Sequence, residues 1–154
     1  MLNDQEKHRI REACLLLVGK QYVLGAEVDL KKISSGMKLI DLYELVQKVD
    51  CSELVQVVYK YATDKAFTDL AANQYVASAK INPIGGKKVY ALATGDLCFL
   101  ANNPAQQNKI GHVGIFIGGD LIVEAKGKDY GVVISTVQEW QRKSTFAGWR
   151  RPKI

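Results

Sequence analysis

Thiols and imidazoles, the side chains best suited to nucleophilic and base chemistry near neutral pH, are scarce in this chain: Cys14, Cys51 and Cys98, with His8 and His112. Cys51 stands apart. It lies in DCSELVQVVY, among Asp50, Ser52 and Glu53 and directly before an apolar run, whereas Cys14 and Cys98 sit inside apolar stretches. Asp50 followed by Glu53 three residues on resembles a capping box with Asp in place of Ser or Thr, which predicts a helix over Asp50–Thr63 with Cys51 at its first position. The unpaired N–H groups and positive dipole end at that position favour an anion, and a thiolate so placed can have its pKa lowered from about 8.5 into a range of about 3.5 to 7.5. The pattern suits a nucleophile that needs a base. A small residue that merely fills a helix start remains open on the capping argument alone.

His8 lies in the polar stretch KHRIRE and is expected at the surface. His112 opens HVGIFIGGDLIVEA, two apolar segments joined by Gly118, Gly119 and Asp120, which predicts a hairpin with a three-residue loop. That register pairs Ile117 with Leu121, Ile115 with Val123 and Gly114 with Glu124, so His112, Gly114 and Glu124 share one face. The absent side chain of Gly114 leaves room for the Glu124 carboxylate to lean toward the imidazole. A two-residue loop would turn Glu124 to the opposite face. In the predicted register Cys51, His112 and Glu124 have the logic of nucleophile, base and orienting group.

These residues need elements to hold them. Ile10, Ala13, Cys14, Leu17 and Val18 recur at helical spacing over Asp4–Gly19. Leu24–Val49 is poorly patterned and reads as an irregular insertion, around 28–49, with a short helix near Leu39–Lys48. A further helix is expected over Phe67–Ala79, a Pro and Gly loop over Asn82–Lys88, and strands over Asp96–Ala101, His112–Ile117, Leu121–Ala125 and Val132–Ser135. Helices first and strands later predict an α+β fold, and 154 residues with 47% hydrophobic and 24% charged content fit a single domain, 1–154. Three widely spaced cysteines without a CxxC pair predict neither a disulfide framework nor a metal site. The apolar run Ala13–Val18 is shorter than a signal-peptide core, so neither a Sec signal nor a membrane span is expected. The net charge of +5 comes from scattered Lys and Arg with no accompanying nucleic-acid motif, so no nucleic-acid partner is expected.

DCSELV around Cys51, TGDLCFL over Thr94–Leu100 and HVGIFIGGDLIVEAKG together resemble the NlpC/P60 superfamily of papain-like cysteine peptidases, over about Val18 to Pro152. The resemblance implies N-terminal helices packed on a central antiparallel sheet, with Cys51 and His112 as catalytic pair. It puts Glu124 at the third polar position, twelve residues after the histidine, where many relatives have His. Tyr22 in QYVLGAE matches the family's YVxG tyrosine, whose hydroxyl is expected near the thiolate, although 29 positions separate it from Cys51. Ser52 is implied as a substrate contact or a second cap. The implied activity is hydrolysis of an amide in bacterial peptidoglycan stem peptides, typically between D-γ-glutamate and the next diamino acid, without cofactor and with peptidoglycan or muropeptides as partner. The alternatives are a papain-like amidase or acyltransferase on another substrate, whose permuted forms place His before Cys, and an inactive cell-wall-binding relative. EAKGKDYGVV is similar to phage-associated members, and with no Sec signal this implies a protein made in the cytoplasm and delivered to the wall by phage or a secretion apparatus.

Overall fold

Asn3 opens the first helix by a reciprocal cap, its side chain accepting the Glu6 N–H at 2.8 Å while Glu6 accepts the Asn3 N–H at 2.9 Å. In the computed structural model, which describes all of residues 1–154, five helices and eight strands follow in the order α1 Asp4–Leu17, β1 Gln21–Tyr22, α2 Leu39–Leu45, β2 Lys48–Val49, α3 Cys51–Thr63, α4 Ala71–Val76, β3 Ser78–Ile81, β4 Leu97–Ala101, β5 Ile110–Gly118, β6 Leu121–Ala125, β7 Val132–Thr136, α5 Val137–Gln141 and β8 Phe146–Pro152. Short 3-10 turns occupy Leu30–Lys32 and Ile84–Gly86. None of the helices is long and apolar enough to cross a membrane.

Six strands form one antiparallel sheet in the order β3-β8-β4-β5-β6-β7. The α+β arrangement of helices on an antiparallel sheet is as expected. On one face, Leu97, Phe99, Val113, Ile115 and Ile117 join Ile10, Cys14 and Leu17 of α1 and Leu54, Val55 and Val58 of α3 in the main core. Alternate residues, Cys98, Phe116 and Ile122, form a smaller cluster on the other face with Val137 and Trp140 of α5 and Trp149 of β8. Every residue of α3 from Cys51 to Tyr59 is buried, which lets a helix rich in β-branched residues form despite its strand-like composition.

Several boundaries depart from expectation. The predicted helix Phe67–Ala79 is only Ala71–Val76, because Ser78–Ile81 pairs antiparallel with Trp149–Pro152, a partner too polar to be recognised as a strand. The short helix near Leu39–Lys48 stops at Leu45, and Lys48–Val49 instead pairs in parallel with Gln21–Tyr22. The hairpin loop also differs. Gly119 and Asp120, both at positive φ (58° and 60°), form a two-residue turn of the kind that matches strand twist, so Gly118 rather than Ile117 pairs with Leu121. A bulge at Ile117 then restores the register, and Ile115 still faces Val123. The shorter loop and the bulge cancel, leaving Glu124 on the His112 face.

Candidate active site

Asp50 caps α3 as expected, its Oδ1 accepting the Glu53 N–H at 2.9 Å and leaving Cys51 at the first helical position. The reciprocal half of the box is absent. Glu53 Oε1 accepts the Val28 N–H at 2.7 Å, and Asp50 Oδ2 accepts the Gly25 N–H at 3.0 Å. Both carboxylates of the helix start thus tie down the segment that follows Tyr22. Together with the pairing of Tyr22 with Val49, two residues before the thiol, they close the 29-position gap and bring Tyr22 near enough for the Cys51 charge to act on its phenol. Burial first, then the neighbouring charges of Cys51 and Asp50, raises the Tyr22 pKa above its ordinary value. Ser52 is buried, and its hydroxyl lies 3.2 Å from Asp50 Oδ1 and 3.3 Å from Asp69 Oδ1.

His112 meets Glu124 as the sequence predicts, with Nε2 2.8 Å from Oε1. A carboxylate can only accept, so Nε2 carries the hydrogen and Nδ1 is left free to exchange a proton, with Cys51 near enough to act on the ring. The space above Gly114 is used differently from expectation. A Cβ there would lie 2.8 Å from both Ile122 Cγ2 and Trp140 Cζ2, so the glycine admits the indole rather than the carboxylate. That indole stacks on the imidazole, with centroids 5.4 Å apart and planes 14° from parallel, and its Nε1–H donates to Glu124 Oε2 at 2.8 Å. Ser135 Oγ donates to the same oxygen.

Burial opposes a charge on His112, but hydrogen bonds with Cys51 and Glu124 and their negative charges outweigh it, and the pKa is pushed up to about 9. Burial likewise opposes ionisation of Glu124, and the donors His112, Ser135 and Trp140 overcome it, holding the carboxyl below its ordinary value. An imidazole of ordinary pKa loses its proton near about 6.5. The folded state therefore holds the His112 proton more tightly than the unfolded chain, and the resulting stabilisation is complete below about 6.5 and lost as pH rises through about 9. Ring NMR of His112 is expected to titrate about two units above an ordinary histidine, with thermal stability declining over the same interval; a midpoint near the ordinary value would rule the arrangement out. No three His, Cys, Asp or Glu side chains are grouped so as to hold a metal ion.

The NlpC/P60 family pattern matches residues 19–151, a span that holds Tyr22, Cys51, His112 and Glu124 in order. The chain belongs to the NlpC/P60 family. Among solved NlpC/P60 structures, NlpC1 of Trichomonas vaginalis superposes with a TM-score of 0.68 at 18% identity, covering 97% of this chain and 45% of that one. A lipoprotein-like NLP/P60 protein of Staphylococcus aureus gives 0.67 at 24% identity, covering 98% and 42%. RipB of Mycobacterium tuberculosis, a peptidoglycan hydrolase, gives 0.65 at 23%, covering 97% and 65%. At these identities the likeness is one of fold, and the chain spans less than two thirds of each of these proteins. No curated protein sequence matches it.

Three polar residues of this NlpC/P60 site were not foreseen. Ser135 lies opposite Ile122 in the β6-β7 ladder, on the Glu124 face, but the six residues between Ala125 and Val132 fix no register in sequence. Trp140 sits on a five-residue helix with no periodicity to announce it. Asp69 reaches Ser52 from a turn before α4.

Proposed function

We propose that this NlpC/P60 chain is a cysteine peptidase that hydrolyses an amide bond in bacterial peptidoglycan stem peptides, between D-γ-glutamate and the following diamino acid. The observation that carries the reading is a helix-N-terminal thiol close to an imidazole whose Nε2 is committed to a buried carboxylate, which leaves Nδ1 free for proton exchange. The fold neighbours RipB and SagA are peptidoglycan hydrolases and support the substrate class.

The sulfur of Cys51 attacks the scissile carbonyl carbon as a thiolate paired with the His112 imidazolium. The Cys51 N–H, without an intrahelical acceptor at the first helical position, and the Tyr22 hydroxyl stabilise the oxyanion. His112 gives its Nδ1 proton to the leaving amine as the C–N bond breaks, leaving a thioester on Cys51. Water, deprotonated by the now neutral Nδ1, attacks the thioester, and the carboxylic acid departs as the thiolate re-forms beside imidazolium. Glu124 keeps Nε2–H in place throughout. Ser52, buried behind the thiol, donates its one hydroxyl hydrogen to the Asp50 or the Asp69 carboxylate.

Incubation of the purified chain with intact muropeptides, followed by mass identification of the fragments, tests this. Release of a fragment ending in D-γ-glutamate with a new amino terminus on the diamino acid is expected. Intact muropeptides after incubation with folded protein whose thiol is reactive would point to a different amide substrate.

A further inference from the structure

Glu124 has more partners than orienting a histidine requires. Its Oε1 accepts the His112 Nε2–H, and its Oε2 accepts two further donors, the Ser135 hydroxyl and the Trp140 indole N–H. All three of Glu124, Ser135 and Trp140 are buried. An indole N–H can only donate, whereas a serine hydroxyl can turn and accept. The atom of residue 124 that faces Trp140 must therefore be an acceptor.

We propose that Trp140, with Ser135, is a positioning residue that restricts position 124 to a carboxylate and thereby sets which nitrogen of His112 is free to exchange a proton with Cys51. The proposal rests on His112 being the base of the proposed reaction. Ser135 acts only through Glu124; Trp140 also stacks on the His112 ring, but its N–H, the group that selects an acceptor at position 124, acts through Glu124. A carboxylate offers two acceptor oxygens, one for the buried donor pair and one for His112. A carboxamide offers one. In Glu124→Gln the amide oxygen goes to the side where two donors meet, and the NH2 group faces His112 Nε2. The imidazole must then accept at Nε2, so its neutral form carries hydrogen on Nδ1 toward the thiol, and the imidazolium, a donor at both nitrogens, is disfavoured. A histidine at 124, the residue type of many relatives, fails similarly, because a ring that accepts from His112 presents its own N–H to the Trp140 N–H. Of the titratable groups, Cys51 of α3 and Glu124 of β6 face His112, while the buried Cys98 thiol of β4 faces Glu124 and is kept neutral by burial.

The test compares wild type, Glu124→Gln and Glu124→Gln/Trp140→Phe by ring NMR of His112 across pH and by turnover of muropeptides. Phenylalanine keeps the aromatic stack and removes the donor. In Glu124→Gln the His112 midpoint is expected to fall well below that of wild type, the neutral ring to carry hydrogen on Nδ1, and turnover to drop by about 10³- to 10⁴-fold, as for a catalytic histidine held in the wrong tautomer. In the double variant the amide can reverse, with Ser135 turning to accept from the NH2 group. The Nε2–H tautomer then returns, and turnover recovers by roughly tenfold or more. A packing role alone would make the second substitution purely additive. An Nε2–H tautomer in Glu124→Gln overturns the proposal, and that isosteric variant decides the matter even where the double variant does not fold. If the tautomers switch as expected while wild type leaves muropeptides intact, the positioning role stands and the peptidoglycan reading fails.

Discussion

Cys51→Ala is expected to lower turnover by about 10⁴-fold or more, because the proposed reaction loses its nucleophile and with it the covalent route, leaving only substrate binding and oxyanion stabilisation. The fold should survive. The substitution deletes one sulfur at the first turn of α3, where the side chain is already at the boundary of the core, and a loss of about 1 kcal/mol or less is expected. Iodoacetamide supplies an independent measurement. Cys14 and Cys98 are fully buried, and burial pushes both thiols well above the ordinary range, so neither offers a thiolate near neutral pH. Cys51 alone has a helix N-terminus and an imidazole beside it. One equivalent of label is expected on the native protein, with parallel loss of turnover, and none on the variant. Retention of more than about one per cent of turnover by Cys51→Ala, or equal labelling of all three thiols, would remove Cys51 from the chemistry.

The parts of this site that could be read from sequence are those encoded locally. The cap, the thiol and the apolar run are contiguous, and one helical period joins them. His112 and Glu124 lie on two strands of one hairpin, so a single register assumption linked them. That assumption was wrong in its loop and right in its consequence, since the turn at Gly119 and Asp120 is one residue shorter than expected and the bulge at Ile117 supplies the missing residue. Two compensating irregularities are invisible to a period-two argument, which fixes only the net parity of the strand.

What was not legible depends on pairing between distant segments. Tyr22 is brought to the Cys51 end of α3 through a two-residue parallel pairing and two carboxylate-to-backbone bonds across the irregular 28–49 stretch, none of which has a periodic signature. Ser135 and Trp140 meet Glu124 only because β7 pairs beside β6 and α5 packs on the Glu124 face of the sheet. The strand FAGWRRP carries two arginines, a glycine and a proline, a composition that argues against a strand near the middle of a sheet. Its place between β3 and β4 is made possible by what those arginines find there. Arg150 donates to the Ser78 carbonyl from Nε and Nη2 and lies over the Tyr75 ring, and Arg151 meets Asp96.

The Arg151–Asp96 pair accordingly carries the largest stability effect expected of a single surface-reaching side chain. Asp96 is almost fully buried, and its carboxylate accepts from Arg151 Nε at 2.7 Å and Nη2 at 2.8 Å and from the Ala93 N–H at 2.7 Å. Arg151→Ala would leave that carboxylate buried with a single backbone donor, and breaking a buried pair from one side typically costs about 3 to 5 kcal/mol. The arginine side chain is itself about a third exposed, 37%, so solvent screening puts the expected loss near the lower end, about 3 kcal/mol. Arg151→Lys keeps the charge but not the two-pronged geometry and should fall between. Asp96→Asn removes the charge that needs compensation and should cost less than Arg151→Ala, about 1 to 2 kcal/mol. Urea unfolding of the three variants measures the order. The backbone of Asp96 also ties β4 to β5, its carbonyl accepting the Phe116 N–H at 2.8 Å, yet Phe116 lies four residues along the strand from His112. Arg151→Ala should therefore lower the unfolding midpoint while leaving the His112 titration where it is. A variant as stable as wild type, or one whose His112 midpoint moves with its stability, would show that the pair does not act as a local clasp at the far end of the sheet.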